Sequence, residues 1–185
     1  MTEQADRHLL DGIRAGRRED CARLIHEHYQ AIYRFLLHLT RSEAEAEDLT
    51  QETFAAAWEK IAAFAGRSTL RTWLHRIAYG KFVDGRRAGR RSAALTERLK
   101  SRDAPVPASP LEAAAHGDEA RQLYAALEQI DTADRVLLVL HYIQGLSYRE
   151  MADVTGEPAG TVKWRTSTAL SRMRTLLTAE KPHVS

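Results

Sequence analysis

The sequence predicts an all-α protein made of two small helical domains that are joined by a flexible linker. Apolar residues recur at helical spacing along most of the 185 residues, and no stretch alternates apolar and polar residues as a half-buried strand does. A proline-rich stretch interrupts this pattern past the middle of the chain. These two observations divide the chain into two helical parts.

The residue pattern of the first part predicts three helices that pack through apolar stripes. Asp20 is a favourable N-cap for the first helix, Ser42 with Glu45 forms a capping-box pattern for the second, and Ser68 or Thr69 caps the third. The stripes consist of Cys21, Leu24, Ile25, Ile32, Phe35, Leu36 and Leu39, then Leu49, Phe54, Ala57 and Ile61, then Leu70, Trp73, Leu74, Ile77 and Ala78. We expect these stripes to form one small core.

Three prolines within residues 105–110 mark the boundary between the domains. Prolines deny a helix its backbone donors and favour an extended tether. We therefore predict a first domain of residues 1–92, a linker of residues 93–118 and a second domain of residues 119–178. Four further helices are expected over residues 111–130, 133–144, 147–155 and 160–178.

Basic charge is concentrated in one block. The net charge of the chain is only +2, yet residues 67–102 hold 11 basic and 2 acidic side chains, a net of +9. Such a block is typical of a surface that binds a polyanion such as nucleic acid. On charge alone, a solvated helix end is the alternative interpretation.

Several classes of protein lack support in the sequence. No run approaches 18 consecutive apolar residues, and the N-terminus has no signal-peptide pattern, so we expect a cytoplasmic protein without membrane insertion. Cys21 is the single cysteine, which excludes an internal disulfide and a cysteine-based zinc cluster. Its place in an apolar stripe favours a core thiol, with a redox sensor as the alternative. We find no nucleophile elbow, phosphate-binding glycine loop or metal-ligand cluster, and so expect no enzyme, no cofactor and no metal site.

The second domain contains a helix-turn-helix pattern. Gly145 ends one helix, and Ser147 with Glu150 forms a capping box that opens a short helix. Gly156 permits a sharp turn, after which a longer helix starts beyond Pro158. In proteins with this pattern, the second helix enters the major groove of DNA.

Helical geometry separates the packed face of that second helix from its outer face. Trp164 and Ser171 lie opposite the predicted packed face, and Ser167 and Thr168 lie beside them. A tryptophan that points away from the core is difficult to explain by packing, although a contact between domains is an alternative to DNA. The packed face comprises Val162, Thr166, Ala169, Leu170, Met173, Leu176 and Leu177, and the flanks comprise Thr161, Lys163, Arg165 and Arg172.

Two segments of the first domain narrow the interpretation. Residues 46–64 resemble the polymerase-binding helix of bacterial sigma factors, and residues 64–78 resemble their promoter-melting segment. Along the chain, these two segments are followed by a basic helix, a tether and a helix-turn-helix. This order also resembles that of the family. The chain is thus similar to sigma factors of the extracytoplasmic-function (ECF) class, with a sigma-2-like bundle and a sigma-4-like helix-turn-helix domain.

The resemblance implies a transcription initiation factor, and it implies roles for particular residues. Its partners would be core RNA polymerase, promoter DNA as duplex at the −35 element and as melted strand at the −10 element, and an anti-sigma factor. Polymerase binding is expected at Asp48, Gln51, Glu52 and Glu59. Binding at −10 is expected at Phe64, Arg67, Ser68, Thr69, Arg71, Trp73, Arg76 and Lys81. Binding at −35 is expected at Thr161, Lys163, Trp164, Arg165, Ser167, Thr168, Ser171 and Arg172.

Three positions depart from the family pattern. Relatives often carry asparagine where this chain has Gly80, in the part that reads a flipped −10 base. They also carry a small residue at the place of Trp164 and an aliphatic one at Thr166. Because Gly80 has no side chain, the usual base preference at that −10 position is not expected to hold. The changes at Trp164 and Thr166 indicate either an unusual −35 preference or a slightly altered seat of the helix.

The main alternative is a helix-turn-helix regulator that never binds polymerase. Such regulators usually carry a sensor or ligand pocket, and residues 1–91 show no phosphate-accepting αβ pattern. A purely structural helical bundle would need neither the basic block nor an outward Trp164. Binding to core polymerase separates these readings from the sigma-factor reading.

Overall fold

The protein is described by a computed structural model that covers residues 3–97 and 118–179, and these residues contain no β-strand. The all-α prediction with two domains is confirmed, whereas most of the predicted linker and the predicted helix start at residue 111 lie outside the described residues. The first half contains α1 (Glu3–Arg14), α2 (Arg18–Thr40), α3 (Glu43–Lys60), a 3-10 turn (Ile61–Ala63) and α4 (Leu70–Glu97). The second contains α5 (Asp118–Glu128), α6 (Thr132–Leu138), a π-helical segment (Val139–Ile143), α7 (Tyr148–Thr155) and α8 (Ala159–Ala179).

Side-chain caps fix where α3 and α4 begin. The Ser42 hydroxyl accepts a hydrogen bond from the Glu45 amide at 3.3 Å, as its capping pattern predicts. Of the two candidates for α4, Thr69 is the cap, because its hydroxyl accepts from the amide of Thr72 at 3.1 Å. A capped start orients the first turn of α4, where several predicted −10 contacts lie.

The N-terminal boundary of α2 differs from the prediction. The helix begins at Arg18 and not after Asp20, so Asp20 is not the N-cap. Its carboxylate instead forms an ion pair with Arg17 at 2.8 Å, within the first turn, where acidic residues are favoured by the helix dipole.

Helix α1 is an element that the sequence analysis did not predict. It packs against α2 through Leu9, Leu10 and Ile13, which are all buried. Asp6 accepts a hydrogen bond from the amide of Leu70 at 3.1 Å. Helix α1 therefore supports the start of α4 from a distance of 64 residues along the chain.

The core of the first half consists largely of the predicted stripes. Ile25 is an exception, since it is 36% exposed although the stripe included it. Cys21 is half-buried against the core and has no disulfide partner. The buried apolar side chains include Leu24, Ile32, Phe35, Leu36 and Leu39 of α2, Leu49, Phe54 and Ala57 of α3, and Leu70, Leu74, Ala78 and Phe82 of α4.

In the second half, a buried arginine joins α5 to α6. Arg135 is 7% exposed and donates hydrogen bonds to the carbonyls of Leu127, Glu128 and Ile130 at 3.0 Å each. These are carbonyls at and just beyond the C-terminus of α5, which have no partner within the helix. Burial lowers the pKa of Arg135 to about 10, so the guanidinium remains charged at neutral pH.

The two halves pack against each other. Helix α4 packs on α7, and α2 contacts both α6 and the π-helical segment. One contiguous set of buried residues runs through both halves. Among the described helices, none is long and apolar enough to cross a membrane.

Candidate nucleic-acid interface

The turn before α8 has the predicted helix-turn-helix geometry. Gly145 (φ 66°) and Gly156 (φ 76°) both adopt the left-handed conformation that ends a helix. The capping box of α7 is complete: the Ser147 hydroxyl accepts from the Glu150 amide at 3.3 Å, and the Ser147 amide donates to the Glu150 carboxylate at 2.9 Å. These local interactions fix the entry of the chain into α7 and its exit toward α8.

Helix α8 presents the two faces that the sequence predicts. Val162 and Thr166 are fully buried, and the Thr166 hydroxyl is satisfied by the carbonyl of Val162 at 2.7 Å. On the opposite side, Trp164 is 68% exposed. A wide apolar ring held in solvent is available to an external partner. The other predicted −35 residues that are exposed are Thr161, Lys163, Ser167, Thr168, Ser171 and Arg172.

Arg165 has partners within the protein. Its guanidinium donates to Asp134 of α6 at 2.6 and 3.0 Å and to Glu157 of the turn at 2.6 Å. Burial alone would lower the pKa of Arg165, but the hydrogen bonds to Glu157 and Asp134 outweigh it and raise that pKa. Arg165 therefore ties the start of α8 to α6 and to the turn, and in this conformation it faces two carboxylates.

The predicted −10 residues lie along the loop before α4 and on α4 itself. Phe64 is only 7% exposed, because its ring packs on Trp73 with centroids 4.9 Å apart. Its carbonyl accepts a hydrogen bond from Arg14 at 2.6 Å. The ring of Phe64 thus supports Trp73 from beneath, and Trp73 is the half-buried outer member of the pair. Arg67 and Arg76 are exposed, and Ser68, Thr69, Arg71 and Lys81 are half-buried.

Trp73 lies in a shallow cleft on the outer side of α4. The cleft is open at Gly80, where an added Cβ would meet no other atom within 4 Å. An aromatic wall, cations and an open floor are what an unstacked base and its phosphate require. The cleft is lined by Lys60, Trp73, Arg76, Ile77, Gly80, Lys81 and Asp84.

The predicted polymerase-binding residues share the outer side of α3. Asp48, Gln51, Glu52 and Glu59 are all exposed. Glu52 also forms an ion pair with Lys81 of α4 at 3.2 Å, which joins the two predicted surfaces.

Glu47, a neighbouring carboxylate on α3, accepts hydrogen bonds from side chains within the protein. Tyr29 donates to it at 2.5 Å and Gln51 at 3.0 Å, and these hydrogen bonds lower the pKa of Glu47. It therefore contributes to the attachment of α3 to α2.

Sequence reasoning missed a set of polar residues where α4 meets the second half. Thr72 donates to Glu150 at 3.2 Å, and the ring nitrogen Nε2 of His75 lies 3.3 Å from the side-chain oxygen of Gln144. His75 is fully buried, and burial lowers its pKa to about 4. The only signal in the sequence was the capping role of Glu150, which says nothing about a second partner. In the described residues, no group of histidine, cysteine and acidic side chains is arranged to hold a metal ion.

Comparison with known proteins identifies both halves. Residues 24–92 match the family model described as Sigma-70 region 2, and residues 120–173 match Sigma-70, region 4. The chain is 34% identical over 156 residues to the ECF RNA polymerase sigma factor SigE of Mycolicibacterium smegmatis, with 83% of this chain and 60% of that protein covered.

Two further proteins are matched by this chain over a larger share of their own length. The chain is 30% identical over 144 residues to the ECF RNA polymerase sigma factor SigX of Bacillus subtilis, with 72% of each protein covered. Among solved structures, the sigma factor RpoE of Bartonella quintana, in complex with the anti-sigma factor NepR, superposes with a TM-score of 0.72 at 27% identity, covering 88% of this chain and 99% of that one.

Proposed function

Because the chain belongs to the ECF class of the sigma-70 family, we propose that it binds core RNA polymerase and directs it to promoters by recognising a −35 and a −10 element. It acts as a transcription initiation factor and not as an enzyme. The observation that carries the DNA-binding part is the two-sided character of α8, which buries Val162 and exposes Trp164 in a helix-turn-helix.

The −35 element is read by the exposed side of α8. An indole offers a flat apolar surface to a thymine methyl group, and the hydroxyls and cations around it can bond base edges and phosphates. Arg165 contributes indirectly, because its carboxylate partners hold the start of α8 in place. The contacting residues in this proposal are Thr161, Lys163, Trp164, Ser167, Thr168, Ser171 and Arg172.

The −10 element is held by α4 and the loop before it. Trp73 provides a stacking surface that Phe64 supports, and Arg67, Arg71 and Arg76 follow the backbone of the melted strand. Gly80 leaves room for a base without a side chain to read it. We therefore expect a relaxed base preference where relatives carry asparagine.

Polymerase docking is assigned to the exposed acidic and amide side chains of α3. Residues 1–92 then carry docking and −10 binding, residues 119–178 carry −35 binding, and residues 93–118 connect the two. An anti-sigma factor is a further expected partner, since the similar RpoE of Bartonella quintana was solved with one.

Capture of core polymerase tests this proposal. Asp48→Lys with Glu59→Lys reverses two exposed charges while it leaves the ion pair between Glu52 and Lys81 intact. The double variant should lose at least about tenfold in affinity for core polymerase, as close charge pairs at interfaces do on reversal.

The matched control places the same charge change elsewhere in the first domain. Asp11→Lys with Glu19→Lys also reverses two exposed carboxylates, on α1 and α2. It should bind core polymerase as the wild type does. Failure of the wild-type chain to capture core polymerase would refute the function, and equal capture by both double variants would refute the assignment to α3.

A further inference from the structure

Both ends of the loop between the 3-10 turn and α4 are held by side chains of α1. At the start of the loop, the guanidinium of Arg14 donates a hydrogen bond to the carbonyl oxygen of Phe64 at 2.6 Å. At its end, the amide of Leu70 donates to the carboxylate of Asp6 at 3.1 Å. Asp6 and Arg14 are two turns apart on α1, which is about 12 Å along a helix axis. One helix therefore holds the loop at two separate points.

The backbone of the loop has few anchors of its own. Residues 65–68 form no backbone-to-backbone hydrogen bond with the part of the chain that the structure describes. Gly66 lies among them in the left-handed conformation (φ 67°), which glycine adopts without strain. Because backbone hydrogen bonds are what usually fix the path of a segment, this loop takes its position from the anchors at its two ends.

Asp6 is well placed to fix the end of the loop and the start of α4. Its side chain is only 6% exposed, so water competes little for the hydrogen bond from Leu70. The first amides of a helix have no partner within the helix, and the helix dipole favours an anion beside them. The Thr69 hydroxyl accepts from another amide of this turn, that of Thr72. Asp6 thus fixes, from a different helix, where the first turn of α4 lies.

The proposed −10 contacts lie directly beside these anchors. Phe64, whose carbonyl Arg14 holds, packs its ring on Trp73 with centroids 4.9 Å apart. Selection among bases requires the contacting groups to be held within about 0.5 Å of their productive positions. A shift of either anchor would therefore change how the bases are read. The proposed contacts between and just after the anchors are Arg67, Ser68, Thr69, Arg71 and Trp73.

We propose that Asp6 and Arg14 are positioning residues for the −10 element: from α1, they hold the loop and the start of α4 in the geometry that selects its bases. This inference rests on the proposed function. It adds to that function a helix that lies before residue 24, where the match to Sigma-70 region 2 begins. The two residues act through the loop, and the groups that the loop and α4 present contact the strand.

Two substitutions of Asp6 distinguish positioning from a purely electrostatic effect. Removal of an anion near the strand would by itself raise the affinity for DNA, so an electrostatic role predicts tighter binding for both Asp6→Ala and Asp6→Asn. Positioning predicts that Asp6→Ala, which loses the acceptor, binds the preferred −10 strand about five- to tenfold more weakly. Asp6→Asn retains an oxygen that can accept from Leu70, so it should bind nearly as the wild type does.

The measurement uses holoenzyme reconstituted from the full chain and core polymerase. Single-stranded oligonucleotides randomised over the −10 element compete for it, which gives the ratio of affinities for preferred and other bases. A partly unfolded variant binds all sequences less by the same factor, so this ratio reports the geometry of the site and not its stability. Asp6→Ala should lower the ratio at one or more positions by about five- to tenfold, and Asp6→Asn should restore it.

Arg14 has a matched control in Arg17. Their side chains are 42% and 52% exposed, and each forms an ion pair with an aspartate three residues away. Arg14 in addition holds the Phe64 carbonyl. Arg14→Met should therefore flatten the −10 preference, whereas Arg17→Met, which removes the same charge, should leave it unchanged. All these variants should capture core polymerase as the wild type does, because α3 is unchanged in them.

Leu36→Ala controls for stability, since Leu36 is fully buried in α2. It should lower the melting temperature without changing the −10 preference. A wild-type preference in both Asp6→Ala and Arg14→Met, or tighter binding by both Asp6 variants, would overturn the inference, as would equal flattening in Leu36→Ala. These outcomes leave the proposed function standing. If wild-type holoenzyme forms but shows no preference among the oligonucleotides, the −10 part of the proposed function is refuted, and this inference with it.

Discussion

Replacement of Trp164 by alanine separates a role in DNA reading from a role in packing. The side chain is 68% exposed, so about one third of it is buried. A tryptophan buries about 200 Å² when fully enclosed, and one third of that area is equivalent to about 1.5 kcal/mol at about 25 cal/mol per Å². The alanine methyl group and its higher helix propensity recover part of this. We therefore expect Trp164→Ala to lower the free energy of unfolding by about 1 kcal/mol or less.

The effect on DNA binding should be larger and confined to a few base pairs. Loss of one specific base contact costs about 1–3 kcal/mol, which is about 5- to 150-fold in affinity. Holoenzyme reconstituted with the variant should show this loss on its preferred −35 sequence. Competition binding to a duplex library randomised over the −35 element should show a flattened preference at one or two positions.

Val162→Ala provides the matched control on the same helix. Val162 is fully buried, so its truncation should lower the free energy of unfolding by about 2 kcal/mol and weaken binding to all −35 sequences alike. If Trp164→Ala instead gave a drop in thermal stability as large as that of Val162→Ala, with an unchanged base preference, our assignment of the indole to the DNA surface would be wrong.

Three further outcomes are expected. Arg71→Ala with Arg76→Ala should leave −35 duplex binding intact but reduce permanganate reactivity of the −10 region, and equal reactivity in variant and wild type would contradict the −10 assignment. Arg165→Gln and Asp134→Asn should weaken −35 binding to a similar extent, because both break the attachment of α8 to α6. If Arg165→Gln weakened −35 binding and Asp134→Asn left it unchanged, Arg165 would act on DNA directly. Burial lowers the pKa values of His75 and His38 to about 4, so below about pH 6.5 the unfolded chain binds more protons than the folded chain. The free energy of unfolding from urea titrations should therefore decrease as the pH falls from 7 to 5, by up to about 2 kcal/mol per histidine. His75→Gln should remove its share of that dependence.

Local signals made most of the second domain predictable. The capping box at Ser147 and the left-handed glycines at Gly145 and Gly156 are decided by residues within a few positions of one another. The outward position of Trp164 follows from helical periodicity alone. In each case, the chemistry that determines the geometry lies within one or two helical turns.

Features that depend on distant residues were not predictable in this way. Helix α1 lacked a recognised cap, and its apolar residues Leu9, Leu10 and Ile13 find their partner only once α2 is in place. Arg165 is a residue type that commonly contacts DNA, yet its guanidinium forms hydrogen bonds with Asp134, 31 residues away. Ile25 fits its apolar stripe by spacing, but it is 36% exposed to solvent, so the helices that the structure describes leave it partly uncovered.

Two causes could each make the free chain a poor binder of promoter DNA, and the structure shows how to distinguish them. The first is that the basic surface of α4 needs a melted strand, which only polymerase presents. The second is that Glu150 of α7 accepts a hydrogen bond from Thr72 of α4, within this surface. A single-stranded −10 oligonucleotide removes the first cause, so wild-type chain and Glu150→Gln should then differ only if the second one operates. Because Glu150→Gln leaves Arg71 and its neighbours unchanged, a gain in oligonucleotide affinity would arise from removal of the competing anion. An equal, weak affinity would leave the requirement for polymerase as the sufficient explanation.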